Sequence, residues 1–251
     1  PGRVPERGEA AIRASRIEHA PARPDSARPV FDADPMNLFV VVETGDHHAT
    51  ILDGDRLEPI QRFATRYALH GGPKFSPEGR FVYFASRDGW VSKYDLWNLR
   101  MVSEIRVGIN TRNIAVSSDG RYVIAANYLP HSLVVLDAQL RFVKLIPARD
   151  QAGTKTSRVS AVYDAAPRNS FIAALKDIPE VWEISYDDRA EPIPVGLVHD
   201  FRYQEGAFIP GKLNARRTGL DELLDDFFFT RDYSQLLGAA RTGGKGQVVQ
   251  L

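Results

Sequence analysis

The chain has 251 residues, 43% hydrophobic and 25% charged, with 32 Lys+Arg balancing 32 Asp+Glu. That length and composition support a sizeable core and exclude a chain disordered throughout, and zero net charge supplies no broad basic surface for nucleic acid or another polyanion. The absence of Cys rules out disulfides, thiolate zinc sites, a Cys nucleophile and a covalently attached c-type haem within these residues, and no apolar run is long enough to span a bilayer.

Residues 1–36 are rich in Pro, Arg and Ala. They are expected to form a linker or arm with a helical turn or two near Glu9–Glu18, or else a disordered terminus. The start at Pro1, without Met or a signal peptide, is expected of a mature or excised piece. From Asn37 the pattern is β. NLFVVVE (37–43), HHATILDG (47–54), RFVYFAS (80–86), VSKYDLW (91–97), RYVIAAN (121–127) and SLVVLDA (132–138) are short runs rich in β-branched and aromatic residues, bounded by Gly, Asp, Asn and Pro.

Internal repetition organises residues 37–251. SPEGRFVYFAS (76–86) matches SSDGRYVIAAN (117–127) at an offset of 41, and Asp53, Asp95 and Asp137 follow one another at intervals of 42. A weaker copy spans 157–186, with Glu183 expected in the place of Asp137, 46 residues on. An irregular insertion (187–224) precedes a further unit, in which the run Phe227–Phe229 is expected to be core between units. A period of about 40–45 residues with several strands per unit is that of propeller blades, which predicts an all-β chain of roughly four to five blades. A truncated ring is the simplest account of that number, and a compact smaller propeller is the structural alternative.

The stretch YALHGGPKF (67–75) places His70 before Gly71-Gly72, two glycines that let the backbone turn sharply and approach a flat ligand. On these residues alone His70 is a turn histidine or a metal ligand. NLFVVVE, ILDGD, YALHGGPKFSPEGRFVYFASRDGWVSKYDLWNL, SRVSAVYD and ALKDIPEVWEI together resemble the haem-d1 propeller of the cytochrome cd1 nitrite reductase family, and within it the branch that dehydrogenates dihydro-haem d1 late in haem d1 biosynthesis. The resemblance implies an eight-bladed ring, about half of it present. It also implies that residues 1–36 are the arm from an upstream cytochrome c domain missing here, where haem c is expected. Haem d1 or dihydro-haem d1 is the implied ligand.

The resemblance further implies a periplasmic oxidoreductase that converts a propionate of dihydro-haem d1 to an acrylate. The alternatives are a cytochrome cd1-type nitrite reductase and a non-catalytic haem d1 carrier or scaffold, and a cofactor-free interaction propeller is the default from the repeat alone. Cytochrome cd1 nitrite reductase and electron-carrier cytochromes are the implied protein partners. His70 matches the iron's axial ligand. A periphery of carboxylates calls for planar, bidentate-capable cations, and Arg87, Arg112 and Arg158, with Lys176, resemble the carboxylate-binding positions. Lys74 stands near where the reductases place an Arg, Thr44 stands where they have another, and Tyr128 is a candidate to stack on the macrocycle.

On the same resemblance, the positions that carry two catalytic histidines in the reductases correspond to Ala166 and Asp225, which points away from nitrite reduction. Asp225, Asp226 and His47 are the polar candidates for a base, with turn caps and solvent-exposed side chains as the plainer reading. No phosphate-binding loop, nucleophile elbow or HExxH motif is present, and TGGKGQ (242–247) reads as a hairpin turn.

Overall fold

A computed structural model describes residues 7–20, 26–195, 207–241 and 243–251. Among the described residues, five antiparallel sheets of three or more strands follow one another along the chain, and a two-stranded ribbon of Ile193–Pro194 and Phe208–Ile209 lies within the insertion. The first contains Leu38–Glu43, His48–Asp53 and Pro59–Ala64, and the second Lys74–Phe75, Phe81–Ala85, Trp90–Asp95 and Arg100–Arg106. The third contains Asn110–Val116, Tyr122–Leu129, Ser132–Asp137 and Phe142–Pro147. The fourth contains Val159–Ala165, Ser170–Leu175, Glu180–Ser185 and Ala215–Gly219, and the fifth Leu224–Phe229, Gln235–Ala240 and Gly246–Gln250. Among the described residues no helix is long and apolar enough to cross a membrane.

The near-continuous apolar runs arise because the middle sheets are covered on both faces. Successive side chains of a strand point oppositely. In Phe81–Ala85, Val82 and Phe84 therefore join the core against the first sheet, while Tyr83 and Ala85 join the core against the third. The same split puts Val123 and Ala125 on one side of the third sheet and Ile124 and Ala126 on the other. In the fourth sheet, Phe171 and Ala173 face back to the third and Ile172 and Ala174 face on to the fifth.

The repeated aspartates close turns. Asp53, Asp95 and Asp137 each accept a hydrogen bond from the main-chain N–H two residues on, at 2.8, 3.0 and 2.8 Å, the short-range bond that lets Asp pin a turn. In the fourth sheet this place belongs to Ser185 rather than Glu183. Ser185 pairs with Ser170 as Asp95 pairs with Phe81 and Asp137 with Tyr122, and its Oγ accepts the Asp187 N–H at 3.2 Å. Glu183 lies two residues earlier in the strand and takes the Arg168 guanidinium at 3.0 and 3.1 Å.

The insertion is not wholly irregular, since its far end, Ala215–Gly219, returns as the fourth strand of the fourth sheet; residues 196–206 lie outside the described part. The run Phe227–Phe229 is only partly core: Phe227 is 2% exposed, but Phe228, on the opposite face of the same strand, is 80% exposed.

The described part of the arm is docked. Helix Glu9–Ala14 buries Ile12 in the core between the second and third sheets, and burial of such a side chain contributes about 1.5–3 kcal/mol. Ile17–Glu18 then adds a fifth strand beside Arg100–Arg106. Glu104 anchors this edge. It lies 3.0 Å from His19 Nε2 and accepts Arg66 Nε and Nη2 at 2.8 and 2.9 Å and Ser92 Oγ at 2.9 Å. Arg66 in turn stacks over Trp90 at 4.0 Å, so one buried carboxylate ties the arm to the connection that leads to His70.

Candidate functional site

Adjacent antiparallel strands bring the start of one beside the end of the next. In the second to fifth sheets this gathers the residues singled out from sequence at one end of the molecule. His70 precedes Lys74–Phe75 while Arg87 follows Phe81–Ala85. Arg112 and Tyr128 lie at the corresponding ends of Asn110–Val116 and Tyr122–Leu129, and Arg158 and Lys176 flank Val159–Ala165 and Ser170–Leu175. Asp225 and Arg241 hold the same places in the fifth sheet.

His70 is held by main-chain atoms. Its N–H donates to the Ala85 carbonyl at 2.8 Å, and its Nδ1 is 2.7 Å from the Arg112 carbonyl oxygen. A carbonyl only accepts, so Nδ1 carries the proton and the Nε2 lone pair is left for a ligand. Nε2 has no partner among the described residues. Gly71 makes this approach possible: at φ +85° a Cβ there would lie 2.7 Å from the Arg112 oxygen. Lys74 Nζ donates to the Gly71 carbonyl at 2.9 Å, and burial lowers its pKa. Lys74 thus braces the turn instead of reaching outward. The imidazole lines a cleft of about 400 Å³ with Val40, Val42, Thr44, Leu69 and Phe84.

Arg112 links this turn to a cationic cluster. Its guanidinium lies 4.7 Å from the Tyr128 ring, with Arg158 and Lys176 Nζ each at 5.4 Å. Arg158 makes a bidentate pair with Asp177 at 2.9 and 2.5 Å, and that guanidinium holds the Asp177 carboxyl down at about 2. Lys176 Nζ contacts Asp225 Oδ1 at 2.5 Å. Arg112 has no carboxylate partner among the described residues, and its buried Nε is unpaired. A buried donor without a partner is costly and fits a site awaiting an anion. Arg87 is exposed, and its side chain likewise has no partner among the described residues.

The remaining candidates are spread out. His47 Nδ1 accepts the Ala68 N–H at 3.2 Å, two residues before His70, and its ring is 5.0 Å from that of Tyr67. Asp226 accepts the Tyr163 hydroxyl at 2.8 Å; burial, then this carboxylate, push Tyr163 up to about 12. Ala166 does not face the cluster. It follows the far end of Val159–Ala165, about 26 Å along the strand from Arg158 at roughly 3.3 Å per residue, so the strand direction removes it from any distal position beside Asp225.

Some functional-looking residues were not singled out from sequence. Asp177 and Arg241 complete the cluster, and Arg241 Nη1 lies 3.7 Å from Asp177 Oδ1. A second cavity of about 350 Å³ opens among Lys74, Phe75, Tyr163, Asp164 and Phe228. Burial pushes the Asp164 carboxyl up to about 6, although it accepts the Tyr186 hydroxyl at 2.7 Å. The Lys-Asp dipeptide ending a strand was the available signal for Asp177; nothing local marks Asp164.

Among the described residues no three metal-ligating side chains converge. A lone imidazole with Nδ1 tied to a carbonyl, beside a cluster of cations, suits an iron already held in a carboxylate-bearing macrocycle. Comparison with known proteins points the same way. The chain is 53% identical, over its whole length, to the dihydro-heme d1 dehydrogenase of Pseudomonas aeruginosa, of which it covers 47%. A solved structure of dihydro-heme d1 dehydrogenase NirN in complex with DHE superposes with a TM-score of 0.86 at 52% identity, over all of this chain and 49% of that one. The β-propeller domain of Myceliophteria thermophila Cps50 (Swd1) matches 90% of this chain and 65% of its own length with a TM-score of 0.59 at 14% identity, which establishes the propeller fold alone. The chain therefore spans about half the length of its similar dehydrogenase. The family model of the cytochrome D1 heme domain matches residues 33–208, the segment that supplies His70, Arg112, Tyr128, Arg158 and Lys176, and the chain belongs to that family.

Proposed function

We propose that this chain forms the part of a haem-d1 propeller that binds dihydro-haem d1 as substrate, in a protein that oxidises one of its propionate side chains to an acrylate. The observation that carries this reading is the His70 imidazole, fixed in one tautomer by the Arg112 carbonyl at 2.7 Å, at the same end as the Arg112, Arg158 and Lys176 cluster. His70 Nε2 would hold the iron, and the cations would hold carboxylates of the periphery. The name of the similar dehydrogenase and its complex with DHE support the substrate. When bound, the conjugated macrocycle and its iron supply a sink for the two electrons that leave with two protons. On this reading the five sheets are blades of an eight-bladed ring, the protein is periplasmic, and an electron-carrier cytochrome takes the electrons.

An anaerobic absorbance titration with dihydro-haem d1 tests the binding. His70→Ala is expected to weaken it at least about tenfold, in line with loss of an orienting contact to a metal, and to abolish the spectral signature of imidazole ligation. Unchanged affinity and spectrum in that variant would sink the assignment. Turnover of bound dihydro-haem d1 with a one-electron acceptor, followed by the absorbance of the acrylate product, separates a dehydrogenase from a carrier.

A further inference from the structure

Two of the three cations around Tyr128 already hold a carboxylate, and the two carboxylates are built differently. Asp177 is fixed from several sides. It takes the Arg158 side chain at 2.9 and 2.5 Å and the Arg158 main-chain N–H at 3.0 Å, and its own N–H donates to Ser157 Oγ at 2.9 Å. Ser157 is fully buried. Asp225 is held by one contact. Its carboxylate has a single hydrogen-bond partner among the described residues, Lys176 Nζ, and its side chain is 46% exposed whereas that of Lys176 is 13% exposed.

We propose that Asp225 is a specificity-determining residue: an internal carboxylate that occupies Lys176 until a ligand carboxylate displaces it. The proposal rests on the carboxylate-binding reading of the preceding subsection. Arg112, with no internal carboxylate, takes the first carboxylate of a ligand. A second carboxylate reaching Lys176 exchanges one ion pair for another while Asp225, already half-exposed and held by one hydrogen bond, turns out to water. An ester, amide or alkyl group at that position cannot replace the charge on Lys176, and it meets an intact Lys176–Asp225 pair. The site thereby favours ligands with two or more carboxylates at the spacing of Arg112 and Lys176 over those with one.

The test is a double-mutant cycle on the whole chain with two probes at low ionic strength: dihydro-haem d1 by absorbance, and mellitate, an iron-free benzene hexacarboxylate, by calorimetry. Asp225→Asn is expected to tighten both by about three- to fivefold, the range of an exposed ion pair, with Asp225→Ser giving the same sign. In a Lys176→Met background the Asp225 substitution is expected to have no effect. Weaker binding of both probes by Asp225→Asn, no change with either, or the same tightening without Lys176, would overturn the proposal. If the parent chain takes mellitate with the expected cycle but not dihydro-haem d1, the haem reading fails and the internal carboxylate stands.

Discussion

Asp164 shows how a single side chain sets a pH dependence away from the ligand end. Its carboxyl, ordinarily at 3.8, is pushed up to about 6 by burial. Between those values the folded chain keeps a proton that the unfolded chain has lost. The contribution of this group to stability is therefore present below about pH 4, falls as pH rises through the window, and stays lost above it. Asp164→Asn keeps an oxygen to accept the Tyr186 hydroxyl and has no charge to bury. Thermal melts are expected to show it more stable than the parent at pH 7.5, by roughly 1–2 kcal/mol after allowing for partial exposure, with the gap closing by pH 4. A constant gap across that range would assign the gain to packing. Most of this residue-scale detail was invisible in the sequence. His70 stood out through its turn, and Arg112 and Tyr128 through the family resemblance, but the pairing of Lys176 with Asp225, 49 residues on, depends on which strand ends meet.

At the level of elements, the arm and the second sheet act together through Glu104. Burial raises this carboxyl, while hydrogen bonds from Arg66, His19 and Ser92 outweigh it and hold it below the usual range. Removing the acid would leave the Arg66 charge partly buried over Trp90 without its partner. Glu104→Ala is expected to cost about 3–5 kcal/mol, as for one partner of a buried ion pair, and to release the arm, seen as faster tryptic cleavage at Arg13 or Arg16. Resistance equal to the parent would show that Ile12 and the Ile17–Glu18 strand hold the arm without the Glu104 carboxylate. The sequence offered a helical turn near Glu9 but not the two-residue strand Ile17–Glu18, because so short an edge strand has no alternation to read. Ser185 was missed for a related reason. A serine hydroxyl can close the same turn as an aspartate, so the repeat kept its geometry while losing its most legible residue.

For the whole molecule, the 42-residue period exposed the repeating sheets because each buries its faces only against its neighbours. Among the described residues, the first and last sheets each share a core cluster with one other sheet, whereas each sheet between them shares clusters with two. Phe39 and Val41 in the first are 49% and 42% exposed, and Leu237 and Val248 in the last are 43% and 65% exposed. With unpaired strand edges beside them, such surfaces favour association between chains. Sedimentation of this chain is expected to show self-association that grows with concentration, and Val41→Lys with Val248→Lys is expected to shift it toward monomer; concentration-independent sedimentation of the parent would contradict this. Each core cluster joins two sheets consecutive in sequence, so the molecule resembles a row of leaning books whose end members tip first. The ligand end is where side chains from several sheets converge: the Arg112 carbonyl ties the second sheet to the third, and Tyr128, Lys176 and Asp225 carry the line through the fourth to the fifth. A rigid macrocycle lying across that line would act as a bookend, coupling four sheets that otherwise lean only on their neighbours.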